Sequence, residues 1–317
     1  MKIIDLHADT VTLCYEKGWE ISANPNTHLS LDRMAGMGSW CQAFAIYIPD
    51  RYRGQQAVDF YDRAYAFYRR QLQKYGNLVM PVGCTGDIEA AARQGRVAAM
   101  LTVEGGSVLC GDPDRVNLLV QQGVRMLTLT WNAANEIAGG QQEDIGLTEA
   151  GRRVVARMEE QGMIVDVSHL GDTGFWQLME VVRRPVVASH SNSRAVHPHP
   201  RNLTDDQFRA IVRLRGLVGL NFFVQFLAGP EQPVTFDHLL AHIRHFLSLG
   251  GEDVIALGSD FDGADLPEFI DRDTKLASLA QSMIKSGLSK SITEKILWKN
   301  AYDFFKRYEQ ESPRYRL

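Results

Sequence analysis

A chain of 317 residues, 45% hydrophobic and 23% charged, is long enough to bury a large core without a disulfide scaffold. The formal net charge of -4 argues against nucleic acid or an anionic membrane as a partner. Cys14, Cys41, Cys84 and Cys110 form no C-x-x-C pair, so they give little support to a thiolate metal site and suit a reducing compartment. Met1 runs straight into the strand-like Lys2-Ile3-Ile4-Asp5-Leu6, with no signal-type segment and no apolar run long enough to span a bilayer. The expected location is cytoplasmic.

Short apolar runs of strand character alternate with longer amphipathic stretches. In chain order the predicted strands are 3–8, 40–48, 97–103, 125–130, 163–168, 186–189, 217–222 and 254–258. Another apolar piece at 78–82 reads either as an extra strand or as the tail of a connection. Helices are predicted over 57–75, 148–161, 173–182, 236–249 and 292–308, and Thr204-Asp205-Asp206-Gln207 has the form of a capping box. Eight strand–helix units predict an α/β chain folded as a (β/α)8 TIM barrel, one domain over residues 1–317. An open doubly wound sheet would require a glycine-rich loop after the first strand, and Leu6-His7-Ala8-Asp9-Thr10 is not one.

Polar residues collect where the predicted strands end: His7-Ala8-Asp9, Glu104-Gly105-Gly106, Ser168-His169, Ser189-His190-Ser191 and Ser259-Asp260-Phe261-Asp262. Parallel barrel strands all end at one mouth, so these groups are expected to converge there. Imidazole and carboxylate in such a pocket form the ligand set of zinc or a similar divalent ion. His7 and Asp9, two apart on a strand, are expected to point to the same side. The glycines after Glu104 permit a sharp turn that exposes its carboxylate, which is able to bridge a His7/Asp9 site and a His169/His190 site. Asp260 is the preferred proton shuttle, with Asp262 as its competitor.

The other histidines carry less. His238, His242 and His245 have helical spacing without an H-E-x-x-H glutamate, and a solvated helix face is expected. His197 and His199 stand in the proline-rich loop after His190, where they are placed to line the mouth; His28 is uninformative.

Taken together, these motifs resemble the membrane dipeptidase (renal dipeptidase) family of zinc peptidases, over nearly the whole chain. That resemblance implies an amidohydrolase-type barrel with two zinc ions. His7 and Asp9 would hold one ion and His169 and His190 the other, with Glu104 bridging and a shared hydroxide between the ions. Asp260 would serve as general base and then acid. It implies dipeptide substrates, often with a D-residue or dehydro residue second, and an arginine that grips their free carboxylate. Arg201 stands at the matching place, eleven residues past His190, and Arg194 is the alternative.

The sequence departs from the family at Trp131, where relatives carry a histidine that contacts the substrate carbonyl. Trp131 and Asn132 are accordingly expected at the substrate. Two other readings remain: a hydrolase of another small amide, lactone or N-acyl amino acid, and a barrel that binds without catalysis. The resemblance also suggests a homodimer.

Overall fold

In the computed structural model, residues 1–229 and 233–312 are described. Nine parallel strands form one sheet: β1 (Lys2–Ala8), β2 (Ser39–Tyr47), β3 (Val79–Pro81), β4 (Val97–Glu104), β5 (Val124–Thr128), β6 (Ile164–Asp166), β7 (Val187–Ala188), β8 (Leu217–Leu220) and β9 (Ile255–Leu257). Their order is β2-β1-β9-β8-β7-β6-β5-β4-β3, and β2 also pairs with β4, which closes an eight-stranded barrel. The predicted (β/α)8 TIM barrel is therefore the fold. The 78–82 piece proves to be an extra strand. β2 runs along β4 from Ala98 to Glu104, while β3 pairs with Val97–Ala99 and β5 with Leu101 onward, so β3 and β5 divide the remaining edge of β4.

Side chains alternate across the barrel wall, as strands require. Ile4, Leu6, Met100, Met126, Ile164 and Leu217 pack in one cluster with Phe304, Phe305 and Tyr308 of the final helix. Neighbouring positions such as Ile3, Val103, Leu127, Val165 and Val218 pack in another, with helix residues that include Phe67, Val154, Met158 and Phe208.

The capping box at Thr204 forms: Thr204 Oγ1 accepts from the Gln207 amide at 3.2 Å and Gln207 Oε1 accepts from the Thr204 amide at 2.8 Å. Such a cap contributes about 1 kcal/mol. The 292–308 prediction breaks into Lys290–Glu294, a π-helical turn Lys295–Lys299 and Asn300–Glu311. Helices Thr10–Lys17, Thr85–Arg93, Asp114–Gln121 and Leu276–Lys285 were not expected from periodicity. They are short, and the first buries Thr10, Val11, Thr12 and Cys14 instead of showing an apolar stripe. Among the described residues no helix is long and apolar enough to cross a membrane.

Candidate metal centre

Each predicted metal ligand lies at or just beyond the C-terminal end of a barrel strand, and the closed sheet gathers them at one mouth. His7 lies in β1 and Glu104 ends β4; His169, His190 and Asp260 follow β6, β7 and β9. The expectation for His7 and Asp9 holds in outcome but not in its reason. Pairing along β1 shifts register between Asp5 and Ala8, and Asp9 has left the extended conformation (φ -94°, ψ 13°) to start the helix Thr10–Lys17. A bend, not strand alternation, brings Asp9 Oδ2 within 3.3 Å of His7 Nε2.

Glu104 faces both halves of the cluster. Its Oε2 is 3.7 Å from His7 Nε2, while its Oε1 is 2.7 Å from His169 Nε2 and 3.5 Å from His190 Nε2. His169 Nε2 and His190 Nε2 are 2.9 Å apart. Donor atoms of His7, Glu104 and His190, and of His7, Asp9 and Asp260, come within 4.8 Å of one another.

The outer nitrogens of both rings have partners. His169 Nδ1 donates to Asn132 Oδ1 at 3.1 Å, an acceptor only. Ser189 Oγ lies 2.7 Å from His190 Nδ1 and 3.4 Å from Ser168 Oγ, so the outer nitrogen of His190 is also held by a hydrogen bond. With its Nδ1 donating, His169 presents a lone pair at Nε2, and this atom and His190 Nε2 both face Glu104 Oε1. Two imidazole nitrogens and a carboxylate oxygen converging on one point are a donor set suited to a divalent cation. Asp9 Oδ1 is also buried without a hydrogen-bond partner among the described residues. The residues fit divalent metal ions, with outer-nitrogen partners of the kind that orient metal-binding histidines.

Backbone conformation serves the same end. His169 (φ 68°) and Asp260 (φ 63°) occupy the left-handed region, which is uncommon for residues with side chains and recurs at functional sites. A Cβ at Gly263 would sit 2.1 Å from Asp9 Oδ2 and 2.5 Å from Asp260 Oδ1, so a larger residue there would displace these carboxylates.

The electrostatics show concentrated negative charge. Burial opposes a charged His7, but Glu104, Asp9 and Asp260 outweigh it and push the imidazole up to about 10. Burial, followed by the neighbouring Asp9, raises the Glu104 carboxyl well above its ordinary range. Burial also lifts Asp260, against the attraction of His7, with Asn221 Nδ2 donating to Asp260 Oδ2 at 3.0 Å. Burial drives His169 and His190 far below the usual imidazole value, which keeps both neutral.

A cavity of about 280 Å³ opens over the cluster, lined by Asp9, Glu104, His169 and Asp260 and by Tyr47, Trp131, Asn132, Phe223 and Phe226. Trp131 packs edge-on to Tyr47 with centroids 4.9 Å apart, forming an aromatic wall. The two open choices now separate. Asp262 accepts from Thr10 Oγ1 at 2.5 Å and from the His28 amide at 2.6 Å, so its carboxylate anchors the loop around His28 while Asp260 faces the cluster. Arg194 is committed to Asp172 by two bonds of 2.6 and 2.9 Å. Arg201 is buried, its Nε and Nη2 lack partners among the described residues, and it lines a small void that shares His169 with the main cavity.

One histidine expectation is corrected. His242 is fully buried, not solvated: its Nδ1 accepts from the Ser193 amide at 3.1 Å and its Nε2 donates to the Leu227 carbonyl at 3.0 Å. Its polar neighbours come from loops remote in sequence, which helical spacing cannot reveal. Of the residues not singled out, Tyr47 and Asn221 lie one residue before the ends of the predicted strands 40–48 and 217–222, so the strand-end rule applied to every strand would have found both. Nothing in the sequence signals Phe226.

Fold and cluster together define a metal-dependent hydrolase of the barrel type. A sequence model of the membrane dipeptidase family (peptidase family M19) matches residues 1–316. A metallopeptidase from Rhodobacter sphaeroides, solved with a phosphinate mimic of the dipeptide L-Ala-D-Ala, superposes with a TM-score of 0.92 at 27% identity, covering 97% of this chain and 99% of that one. The M19 dipeptidase AC gives a TM-score of 0.92 at 28% identity, covering 97% and 98%. A Klebsiella pneumoniae protein encoded in the pqqA 5′ region is 34% identical over 226 residues, 68% of this chain and 83% of its own length. The chain belongs to the membrane dipeptidase family of metallopeptidases.

Proposed function

We propose that this protein hydrolyses dipeptides that carry a free C-terminal carboxylate, L,D forms included, using two zinc ions. The observation that carries the reading is Glu104, whose two oxygens face His7 on one side and the Nε2 atoms of His169 and His190 on the other. His7 and Asp9 would hold one ion and His169 and His190 the other, with Glu104 shared. When bound, such ions act as Lewis acids toward water and the scissile carbonyl.

Asp260 takes the proton of the attacking water as its oxygen bonds to the carbonyl carbon. It returns that proton to the amide nitrogen as the C–N bond breaks, releasing two amino acids. Asn221 holds the Asp260 carboxylate through Oδ2. Arg201, buried and without a carboxylate partner among the described residues, receives the substrate carboxylate in a bidentate pair. Trp131 and Tyr47 form the apolar wall against which the substrate side chains lie. The phosphinate L-Ala-D-Ala mimic bound by the Rhodobacter relative supports both the dipeptide and the D-residue.

The test is a screen of zinc-loaded protein against L,L and L,D dipeptides, their C-terminal amides, lactones and N-acyl amino acids. Turnover confined to free dipeptides is expected. Turnover of lactones with none of dipeptides would replace this reading by the broader hydrolase one.

A further inference from the structure

Arg201 is 6% exposed, and no acidic side chain pairs with it among the described residues. A guanidinium taken from water without a counter-ion is costly. Burial pulls its pKa down to about 10, against the attraction of Glu104, Asp260 and Asp166.

What it does have is an aromatic face. Arg201 Cζ lies 5.3 Å from the centroid of the Phe226 ring. That ring is itself held edge-on by Phe223 at 4.7 Å and flanked by His199 at 4.6 Å. Asn202, the next residue after Arg201, donates from Nδ2 to the Phe226 carbonyl at 2.9 Å and to the His197 carbonyl at 3.0 Å. The loop that carries Arg201 and the short helix Val224–Leu227 are thus tied together beside the guanidinium. His199 adds no competing charge: its Nδ1 accepts from the Arg201 amide at 3.1 Å, and burial pushes the ring down to about 4. Phe226 lines the main cavity while Arg201 lines the smaller void, so the ring belongs to the partition between substrate space and cation.

We infer that Phe226 is a positioning residue for Arg201: its ring holds the unpaired guanidinium in one orientation, so that capture of a free carboxylate depends on it. The inference rests on the carboxylate role proposed for Arg201. A cation over a ring is worth most where both are out of water, which is the situation here.

The test measures inhibition of the zinc-loaded enzyme by a phosphinate dipeptide mimic with a free carboxylate and by its carboxamide. It compares the natural protein with Phe226→Leu and Phe226→Tyr, each checked for fold by circular dichroism and for zinc content. Phe226→Leu is expected to weaken the free-carboxylate mimic by about 30-fold, the ratio a desolvated contact of this kind supplies. The carboxamide should bind about as before, and Phe226→Tyr should restore most of the loss. Equal weakening of both mimics would make Phe226 a mere apolar wall and overturn the inference. Tighter binding of the free carboxylate in Phe226→Leu would also overturn it, because the ring would then be covering Arg201. Absence of any carboxylate preference in the natural protein would defeat the role of Arg201 itself, and would be seen before any substitution is compared.

Discussion

His169 Nε2 and His190 Nε2 approach to 2.9 Å, with Glu104 Oε1 within 3.5 Å of both. Asn132 and Ser189 hold the other nitrogen of each ring. Imidazoles held together in this way, beside a carboxylate oxygen, have the arrangement of a candidate cation site whose geometry is maintained by hydrogen bonds one layer out.

The Asn132 contact with His169 should therefore be felt as metal affinity. Asn132→Ala is expected to weaken zinc binding by about 10–100-fold in a competition titration against a chelator. Asn132→Asp keeps an acceptor for His169 Nδ1 and should lose much less. Equal affinity in the alanine variant would show that the contact does not orient the ring.

Asp260 differs from the other acids in having one oxygen held by Asn221 and the other 3.9 Å from His7 Nε2. Asp260→Asn should lower kcat by about 10²- to 10⁴-fold while zinc content stays near normal. Full turnover in that variant would remove Asp260 from the proton path.

Trp131 fills the cavity wall against Tyr47 and donates only through its indole nitrogen. Trp131→His is expected to broaden the range of dipeptides cleaved, read as kcat/KM over the same panel. A folded, zinc-loaded but inactive variant would count against a wall role.

His242 makes a prediction about stability. Its folded value of about 4 lies below the ordinary 6.5, because burial disfavours the charged ring. Below pH 6.5 the unfolded chain takes up a proton that the folded chain refuses. The stabilisation is therefore complete above that pH and lost as pH falls toward 4, by about 3 kcal/mol in all. The difference in unfolding free energy between the natural protein and His242→Gln should be flat above pH 7 and shift through this window. A difference independent of pH would mean that His242 titrates normally.

The sequence made the barrel legible because buried parallel strands read as separate apolar runs, and each of the eight appears within a residue or two of its predicted place. The candidate ligands were legible for the related reason that chemistry gathers at strand ends, a position readable without coordinates. What escaped was whatever depends on the path of the chain between elements. Asp9 reaches His7 through a bend, His242 is buried by two distant loops, and Phe226 meets Arg201 across a loop–helix contact. No periodicity records such meetings.

Ion stoichiometry tests the paired-cation site most directly. Elemental analysis of zinc-loaded protein should give two ions per chain, and His7→Ala should retain one, held by Glu104, His169 and His190. No bound zinc in the natural protein, or two full-affinity ions surviving in a His7→Ala, His190→Ala double variant, would contradict it.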